Sequence, residues 1–210
     1  MTKEEFTALY QQRLMVGEIE QENRLRFQNL TLQYSQRFNR WGVHKYHGDD
    51  EVLVLEGVEF ISKSAFASSK VREIYLPDAI RIEDSAFMNS NLTKIYAPKV
   101  QNIGAYAFAN CPKLKRVNFP KVRQLKHGTF RGCISLRVAN FDSLAAIKYD
   151  DTFEYTPRDC IIKGYCGVKI SRHIPYRINT VTQQQDYTSE NLRLLKEMMD
   201  WRLKSGQWTF

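Results

Sequence analysis

A short sequence marker recurs along the middle of the chain at a nearly constant spacing. It reads Ala-Phe in three copies and Thr-Phe in the next two, and its phenylalanines follow one another at intervals of 21, 21, 22 and 23 residues. Intervals of this length are typical of solenoids, in which every repeat forms one coil and packs only against its neighbours. We therefore predict that the marker rings form the structural core of one solenoid: Phe66, Phe87, Phe108, Phe130 and Phe153.

A second pattern keeps the same interval between the markers. One unit has apolar residues at Ile74 and Leu76, then Pro77, and then two further apolar residues, Ala79 and Ile82. The next two units repeat this order, and a third repeats it without the proline. Alternating apolar and polar residues over a few positions predict a short, half-buried strand, and the proline marks its end. Each unit therefore predicts a strand followed by a tight return that carries the marker.

The composition allows a buried core and gives no sign of a membrane span. The chain has 210 residues, of which 43% are hydrophobic, and this is enough for one elongated domain. No run approaches the roughly 18 consecutive apolar residues that a membrane helix needs. The first residues lack the basic and apolar regions of a secretion signal. We therefore predict an intracellular, cytoplasmic protein without a transmembrane segment.

The cysteines agree with a reducing compartment. Cys111 and Cys133 occupy the same place in successive repeats, and Ser90 occupies it in the repeat before. A position shared by serine and cysteine indicates a small buried slot, so we interpret these residues as free thiols. A bond between them in an oxidising compartment stays open, because stacked repeats bring such positions close. Cys160 and Cys166 do not have the spacing of zinc ligands.

Both ends of the chain carry helical patterns instead of repeats. The segment from Thr2 to about Trp41 is polar, rich in glutamine and free of proline, and we expect two helices there, with Gly17 loosening their connection. The apolar stripe of the second helix is Phe27, Leu30, Tyr34, Phe38 and Trp41. Near the other end, a helix can begin at Thr188 or Ser189 and end at Gly206. We therefore predict an α+β protein with a helical N-terminal segment (residues 1–50), a solenoid of short parallel strands (residues 51–180), and a linker with a C-terminal amphipathic helix (residues 181–210).

The repeats resemble a known family. The stretch Ile103–Leu114, which reads IGAYAFANCPKL, is very similar to the consensus of the BspA-type leucine-rich repeat family. The resemblance covers about residues 53–176, because the segment from Ile161 to Tyr176 is similar to the usual final coil of the family. It implies a right-handed, strand-lined leucine-rich-repeat solenoid that binds proteins or surfaces and has no catalytic machinery.

Residues that project between the inward positions of the strands form one repeated surface, which we call the strand face. Stacked at the strand spacing of roughly 4.8 Å, they would form a basic column and a column of tyrosine and asparagine. Such a face suits an acidic protein segment, because arginine binds carboxylates and tyrosine supplies rigid contact area. A plainer explanation is that the cations keep the strands soluble and discourage edge pairing. The predicted partner-binding residues are Arg72, Tyr75, Lys94, Tyr96, Lys115, Arg116, Asn118 and Arg137.

The positive charge of the chain lies in its repeats. The net charge is +8, and residues 60–150 alone carry +9. A second set of cations, on the segments that return after the prolines, extends this field: Arg81, Lys99, Lys121, Arg123, Lys126 and Lys148. Because phosphates bind any ordered row of cations, nucleic acid or an anionic membrane is an alternative partner, although no nucleic-acid-binding motif is present.

Another alternative places the interface on the terminal helices and leaves the repeats as a scaffold. Apolar side chains near the C-terminus would then anchor a partner or a second copy of the chain in a homodimer: Leu192, Leu195, Met198, Trp201 and Trp208.

The sequence contains no motif typical of an enzyme. It lacks a glycine-rich phosphate loop, a nucleophile elbow and a metalloprotease helix. One cluster, His44–Asp50, resembles a metal or acid–base site, but its glycine and paired aspartates are typical of a solvated junction between the N-terminal segment and the repeats. We therefore predict a non-catalytic interaction module without a cofactor or a metal.

Overall fold

The computed structural model of the protein describes residues 18–21, 24–27, 29–36, 40–147, 149–164 and 169–170. These residues contain sixteen β-strands and no helix. The strands before the repeats are β1 (Glu18–Gln21), β2 (Arg24–Phe27), β3 (Leu30–Ser35) and β4 (Arg40–Tyr46). The strands of the repeats are β5 (Val52–Val54), β6 (Phe60–Ile61), β7 (Glu73–Tyr75), β8 (Arg81–Ile82), β9 (Lys94–Tyr96), β10 (Asn102–Ile103), β11 (Arg116–Asn118), β12 (Gln124–Leu125), β13 (Val138–Phe141), β14 (Ala146–Ile147), β15 (Ile161–Gly164) and β16 (Lys169–Ile170).

From β5 onward each coil of the solenoid contributes two short strands. We number the coils 1 to 6 from the strands β5, β7, β9, β11, β13 and β15, which form the strand face. The second strands of the coils, β6, β8, β10, β12, β14 and β16, form what we call the return face. Successive coils pair in parallel, so that Leu53, Ile74 and Ile95 are in register on the strand face. Residues one sequence repeat apart are therefore the ones that pair in the sheets.

Both faces are interrupted at the same junction, between coils 3 and 4. The strand face consists of the sheets β5-β7-β9 and β11-β13-β15, and on the return face one sheet ends at β10 and another begins at β12. Among the described residues, no backbone hydrogen bond joins β9 to β11 or β10 to β12. The marker turns still join the coils, since the amide of Phe108 donates to the carbonyl of Thr129 over 2.9 Å. The interruption coincides with the first longer interval, where the loop Cys111–Leu114 has one residue more than Ser90–Leu92.

The marker phenylalanines form a continuous aromatic stack inside the solenoid. All five rings are 0% exposed. Neighbouring ring centroids lie 5.1 to 5.4 Å apart, with ring planes within 13° of parallel. Tyr46 of β4 extends the stack, with its ring centroid 5.1 Å from that of Phe66. The stack therefore links the N-terminal strands and coils 1 to 5 through one core.

In each of the first four marker turns the phenylalanine lies between two residues in the left-handed region of backbone space. In coil 2 these are Ser85, with φ of 57°, and Asn89, with φ of 60°. Coil 4 has Gly128 and Gly132 at the same two places, with φ of 53° and 71°. Small residues, asparagine and glycine tolerate this conformation best, so the repeated turn has a local cause in the sequence.

The described part of the N-terminal segment, from residue 18 onward, is a β-sheet, so the predicted α+β class with a helical N-terminal cap is wrong. Strands β1 to β4 pair antiparallel, and β4 then pairs parallel with β6 in a seven-stranded sheet. Leu30 and Tyr34, which we had spaced as a helical stripe, also alternate with Leu32 at the period of a strand. Strand β4 covers the open edge of β6, which would otherwise leave backbone groups unpaired. Gly42 permits this approach, because a Cβ atom there would overlap the carbonyl oxygen of Phe60.

The other predicted helices have no support. The helix expected near Phe6–Tyr10 and the C-terminal helix expected between Thr188 or Ser189 and Gly206 lie outside the described residues. The described part of the chain is a β-solenoid without a helix, and this replaces the predicted architecture with helical ends. The alternative of a homodimer through terminal helices stays untested, because the C-terminal residues that would form it lie outside the described residues.

Candidate functional site

The predicted partner-binding residues lie on the strand face in two blocks. Coils 2 and 3 carry Tyr75 and Tyr96, which are in register. Coils 4 and 5 carry Asn118, which is in register with Asn140. The cations stand at or just before the same strands: Arg72 and Lys94 in the first block, and Lys115, Arg116 and Arg137 in the second. The two blocks are separated by the interruption between coils 3 and 4.

The cations of the first block are neutralised within the solenoid. Arg72 Nη1 lies 3.1 Å from Glu51 Oε2, and Lys94 Nζ lies 3.7 Å from Glu73 Oε2. Each carboxylate stands 21 residues before its cation and hence on the preceding coil. Two pairs beside the face have the same interval, Lys70 with Asp49 and Lys99 with Asp78. Exposed pairs of this kind add about 0–1 kcal/mol each, so their main effect is to cancel charge.

The two tyrosines of the first block are covered. Tyr75 is 4% and Tyr96 is 6% exposed, and with Val54 they form an apolar cluster separate from the phenylalanine core. The Tyr75 hydroxyl donates to Glu73 Oε2 over 3.0 Å, and Lys94 Nζ lies 5.5 Å from the Tyr75 ring centroid. Burial raises the pKa of both tyrosine hydroxyls. These rings therefore offer little area to a partner.

Two cations of the second block, Lys115 and Arg137, are exposed and lack this compensation. The backbone amide of Arg137 donates to the carbonyl of Lys115 over 2.9 Å, so the two residues are neighbours across the strands. Both side chains are exposed, and neither has a carboxylate partner among the described residues. Arg72 is preceded one coil earlier by Glu51, whereas Arg137 is preceded by another cation, Lys115. Positive charge therefore accumulates on the strand face only after the interruption.

Two side-chain oxygens beside these cations lack a hydrogen-bond donor. The Oδ1 atoms of Asn118 and Asn140 are buried and unpaired. Asn140 is 7% exposed and lies in register with Asn118. A buried acceptor without a partner costs about 1–3 kcal/mol. Asn140 was not among the predicted binding residues, although its place in the column of Tyr75, Tyr96 and Asn118 marks it as outward.

The second set of cations lies around the return face. Lys99 is paired with Asp78 over 2.8 Å. Lys121 and Arg123 are exposed and have no carboxylate partner in the described part of the chain. Lys148 lies outside the described residues. Only part of the predicted basic field is therefore uncompensated.

The buried cysteines are free thiols. The Cys111 thiol donates to the carbonyl of Phe87 over 3.1 Å, and the Cys133 thiol donates to that of Phe108 over the same distance. Burial raises the pKa of Cys111 and of Cys160 to about 11. Because the thiolate is the reactive form, these side chains are packing groups and not nucleophiles. A bond between Cys111 and Cys133 is absent from the structure.

We expect a chain with Cys166→Ser to react with Ellman's reagent at pH 7 at least about a thousand times more slowly when folded than when unfolded. A pKa near 11 leaves only about one thiol in ten thousand ionised at that pH, and burial also blocks access. Absorbance of the released thiolate measures the rate, and the unfolded chain should release three equivalents. One equivalent released at once by the folded chain would contradict the burial of these thiols.

The segment His44–Asp50 is held by hydrogen bonds between Tyr46 and Asp50 at the end of β4. The Tyr46 hydroxyl donates to Asp50 Oδ2 and accepts from the Asp50 amide, both over 2.8 Å. His47 is exposed. No group of three or more histidine, cysteine or acidic residues in the described ranges is arranged to hold a metal ion. Within the same ranges no helix is long and apolar enough to cross a membrane.

Solved structures similar to this chain include a leucine rich cell surface protein from Faecalibacterium prausnitzii, 18% identical with a TM-score of 0.48 over 81% of this chain and 42% of that one. A leucine-rich repeat protein from Bacteroides ovatus is 20% identical, with a TM-score of 0.42 over 67% of this chain and 37% of that one. One from Bacteroides capillosus is 16% identical, with a TM-score of 0.43 over 71% of this chain and 99% of that one.

This chain spans less than half the length of the first two of these proteins. No curated protein matches it. The family comparison matches six copies of the BspA type leucine rich repeat region to residues 50–159, just over half of the 210 residues. The chain therefore belongs to the BspA-type leucine-rich repeat family.

Proposed function

We propose that the protein is a non-catalytic interaction module that holds an acidic protein partner against the strand face at coils 4 and 5. A leucine-rich-repeat solenoid is a fold of protein-interaction and surface-binding modules. The observation that carries the proposal is the contrast between the two blocks of the strand face. Arg72 and Lys94 meet carboxylates of the chain itself, whereas Lys115 and Arg137 meet none in the described residues.

Two neighbouring positive charges on the strand face favour a negatively charged partner. Lys115 and Arg137 lie just before neighbouring strands, which are roughly 4.8 Å apart. A carboxylate brought by a partner would lie against these two cations and supply the negative charge that Glu51 supplies to Arg72. Charge-assisted hydrogen bonds of this kind contribute about 1.5–3 kcal/mol each.

The unpaired oxygens of Asn118 and Asn140 are buried and, like the two covered tyrosines, offer little to a partner. Phosphate groups of a nucleic acid or a membrane would also pair with Lys115 and Arg137, so the sign of the charge does not by itself select a protein. The leucine-rich-repeat fold favours a protein as the source of the carboxylates that Lys115 and Arg137 bind. The hydrogen-bonded strands hold these side chains in place before binding, so that little conformational entropy is lost.

We expect the double variant Lys115→Glu/Arg137→Glu to lose capture of acidic host proteins by at least about tenfold, because two favourable charge contacts become repulsive. The measurement is quantitative mass spectrometry of proteins retained by the immobilised chain from a nuclease-treated extract of the source organism. The matched control is Lys121→Glu/Arg123→Glu, which makes the same charge change at exposed, unpaired positions of coil 4.

The control should retain the same acidic proteins as the unaltered chain, and both variants should melt within a few degrees of it. Equal loss in both variants would show that overall charge and not the strand face governs binding. If the unaltered chain retains acidic proteins from an untreated extract but not from the nuclease-treated one, the basic surface binds nucleic acid instead.

A further inference from the structure

A cavity opens on the return face where the sheets are interrupted. Its volume is about 580 Å³, within the range of about 300–1,000 Å³ typical of ligand sites. It lies between β10 of coil 3 and β12 of coil 4, which share no ladder hydrogen bonds. Its walls come from three coils: Gln101, Asn102 and Ile103 of coil 3, Lys121, Arg123, Gln124 and Lys126 of coil 4, and Ser143 of coil 5.

A smaller cavity of about 250 Å³ continues this one towards the N-terminal coils. The two cavities share Asn102, Ile103 and Lys126, and the smaller one reaches Lys63 and Arg81. Together they form a groove that crosses coils 1 to 5. At roughly 4.8 Å for each coil, the groove is roughly 19 Å long. This shape suits an extended chain of several units better than a single small ion.

The groove selects negative charge. Lys121 and Arg123 are exposed and have no carboxylate partner within the described ranges. Lys126 has a single distant contact, 3.9 Å from Asp84 Oδ1. No acidic residue lines the larger cavity. The smaller cavity has two acidic residues, and both are already engaged. Asp84 Oδ1 accepts from the Ala105 amide over 2.7 Å, and Glu83 Oε2 accepts from the Lys63 amide over 3.1 Å.

The uncharged lining of the larger cavity indicates hydroxyl groups on the ligand. Gln101, Asn102 and Gln124 are exposed amides, and each offers a donor and an acceptor, as a sugar hydroxyl does. Ser143 adds a hydroxyl on the far side. No aromatic side chain lines the cavity, so the bases of a single-stranded nucleic acid would find no ring to stack on.

We propose that this groove binds an acidic oligosaccharide. Carboxylate or sulfate groups of the sugar chain bind Lys121, Arg123 and Lys126, and its hydroxyl groups bind Gln101 and Gln124. The sugar chain would lie along the groove, across successive coils that are roughly 4.8 Å apart. The site is separate from the proposed protein-binding block, which lies on the strand face of the same coils.

The test uses isothermal titration of the full chain at about 0.15 M salt, where weak surface attraction is screened. Three hexasaccharides serve as probes: a heparin-derived one that carries sulfate, a galacturonate one that carries carboxylate, and neutral maltohexaose. At least one acidic hexasaccharide should bind and maltohexaose should not. The acidic hexasaccharide that binds more tightly shows whether the groove prefers sulfate or carboxylate.

Lys121→Ala/Arg123→Ala should weaken this binding at least about tenfold, because two charge-assisted contacts are lost. Lys113→Ala/Arg158→Ala removes the same charge from exposed residues that lie outside the groove and have no carboxylate partner in the described ranges, and should change binding less than about twofold. Gln101→Ala/Gln124→Ala keeps the charge and should still weaken binding several-fold, which simple ion exchange would not produce.

Four results would overturn the proposal: no binding of either acidic hexasaccharide, equal loss in the two cation variants, no effect of the amide variant, or equal binding of hexaglutamate through Lys121 and Arg123. Each of these leaves the protein-binding proposal standing, because that proposal depends on Lys115 and Arg137. Conversely, failure of the capture experiment leaves the sugar titration unaffected.

Discussion

Phe108→Ala is expected to lower the free energy of unfolding by about 3–5 kcal/mol, through lost burial and the cavity that the ring leaves behind. The Phe108 ring is 0% exposed, and its centroid lies 5.3 Å from that of Phe87 and 5.4 Å from that of Phe130. It also lies at the junction where neither strand ladder joins coils 3 and 4, so few other contacts compensate for its loss. Chemical denaturation followed by circular dichroism measures the change.

Two variants calibrate this result. Lys113→Ala removes an exposed side chain of the next loop and should change stability by less than about 0.5 kcal/mol. Phe153→Ala removes the last marker ring, which stacks on the marker ring of Phe130, whereas Phe108 stacks on two marker rings, so the cost of Phe153→Ala should be smaller than that of Phe108→Ala. If Phe108→Ala unfolds at the same denaturant concentration as Lys113→Ala, the aromatic stack is not the core of the solenoid.

Gly42→Val is expected to separate the N-terminal strands from the coils and to destabilise the protein by at least about 1–3 kcal/mol, the usual cost of overpacking. A Cβ atom at Gly42 would overlap both the carbonyl oxygen and the ring of Phe60, and the oxygen is backbone that cannot rotate away. Hydrogen exchange measures the separation, because amides of β3 and β4 should lose protection while those of coil 5 keep it.

Gln33→Val is the matched control for this change. Gln33 lies directly opposite Gly42 in the neighbouring strand, and valine is favourable in strands. It should therefore leave both protection and stability nearly unchanged. Full protection of β4 in Gly42→Val would contradict the parallel pairing of β4 with β6.

The repeats were predictable because each one repeats the information of the others. Five phenylalanines at nearly equal intervals leave few ways to fold, and the structure places their rings in one stack. The N-terminal segment has no such redundancy. Leu30 and Tyr34 fit a helix and a strand equally well, and only the need of β6 for a neighbour decides between them. That requirement is non-local, and the local pattern of residues does not contain it.

The candidate site was predictable in position but not in state. Alternation along the strands places Tyr75 and Tyr96 outward, yet both are covered in the structure. Which cations are paired with a carboxylate could have been predicted from the sequence. The residue one repeat before Arg72 is acidic, whereas the residue one repeat before Arg137 is Lys115. The groove could not be predicted from the sequence, because it depends on the missing strand hydrogen bonds between coils 3 and 4. The only sign of that interruption in the repeats is one extra loop residue. The cytoplasmic address stays a prediction.

The missing ladder between coils 3 and 4 has a mechanical consequence for the whole molecule. In a linear array, cooperativity is transmitted only from neighbour to neighbour, so the weakest interface sets the size of the unit that melts together. The solenoid therefore divides into two short rods joined by a seam of turns and aromatic rings. A ligand that contacts Gln101 on one rod and Lys121 on the other would stabilise the interface between the rods, so that the two rods would unfold together.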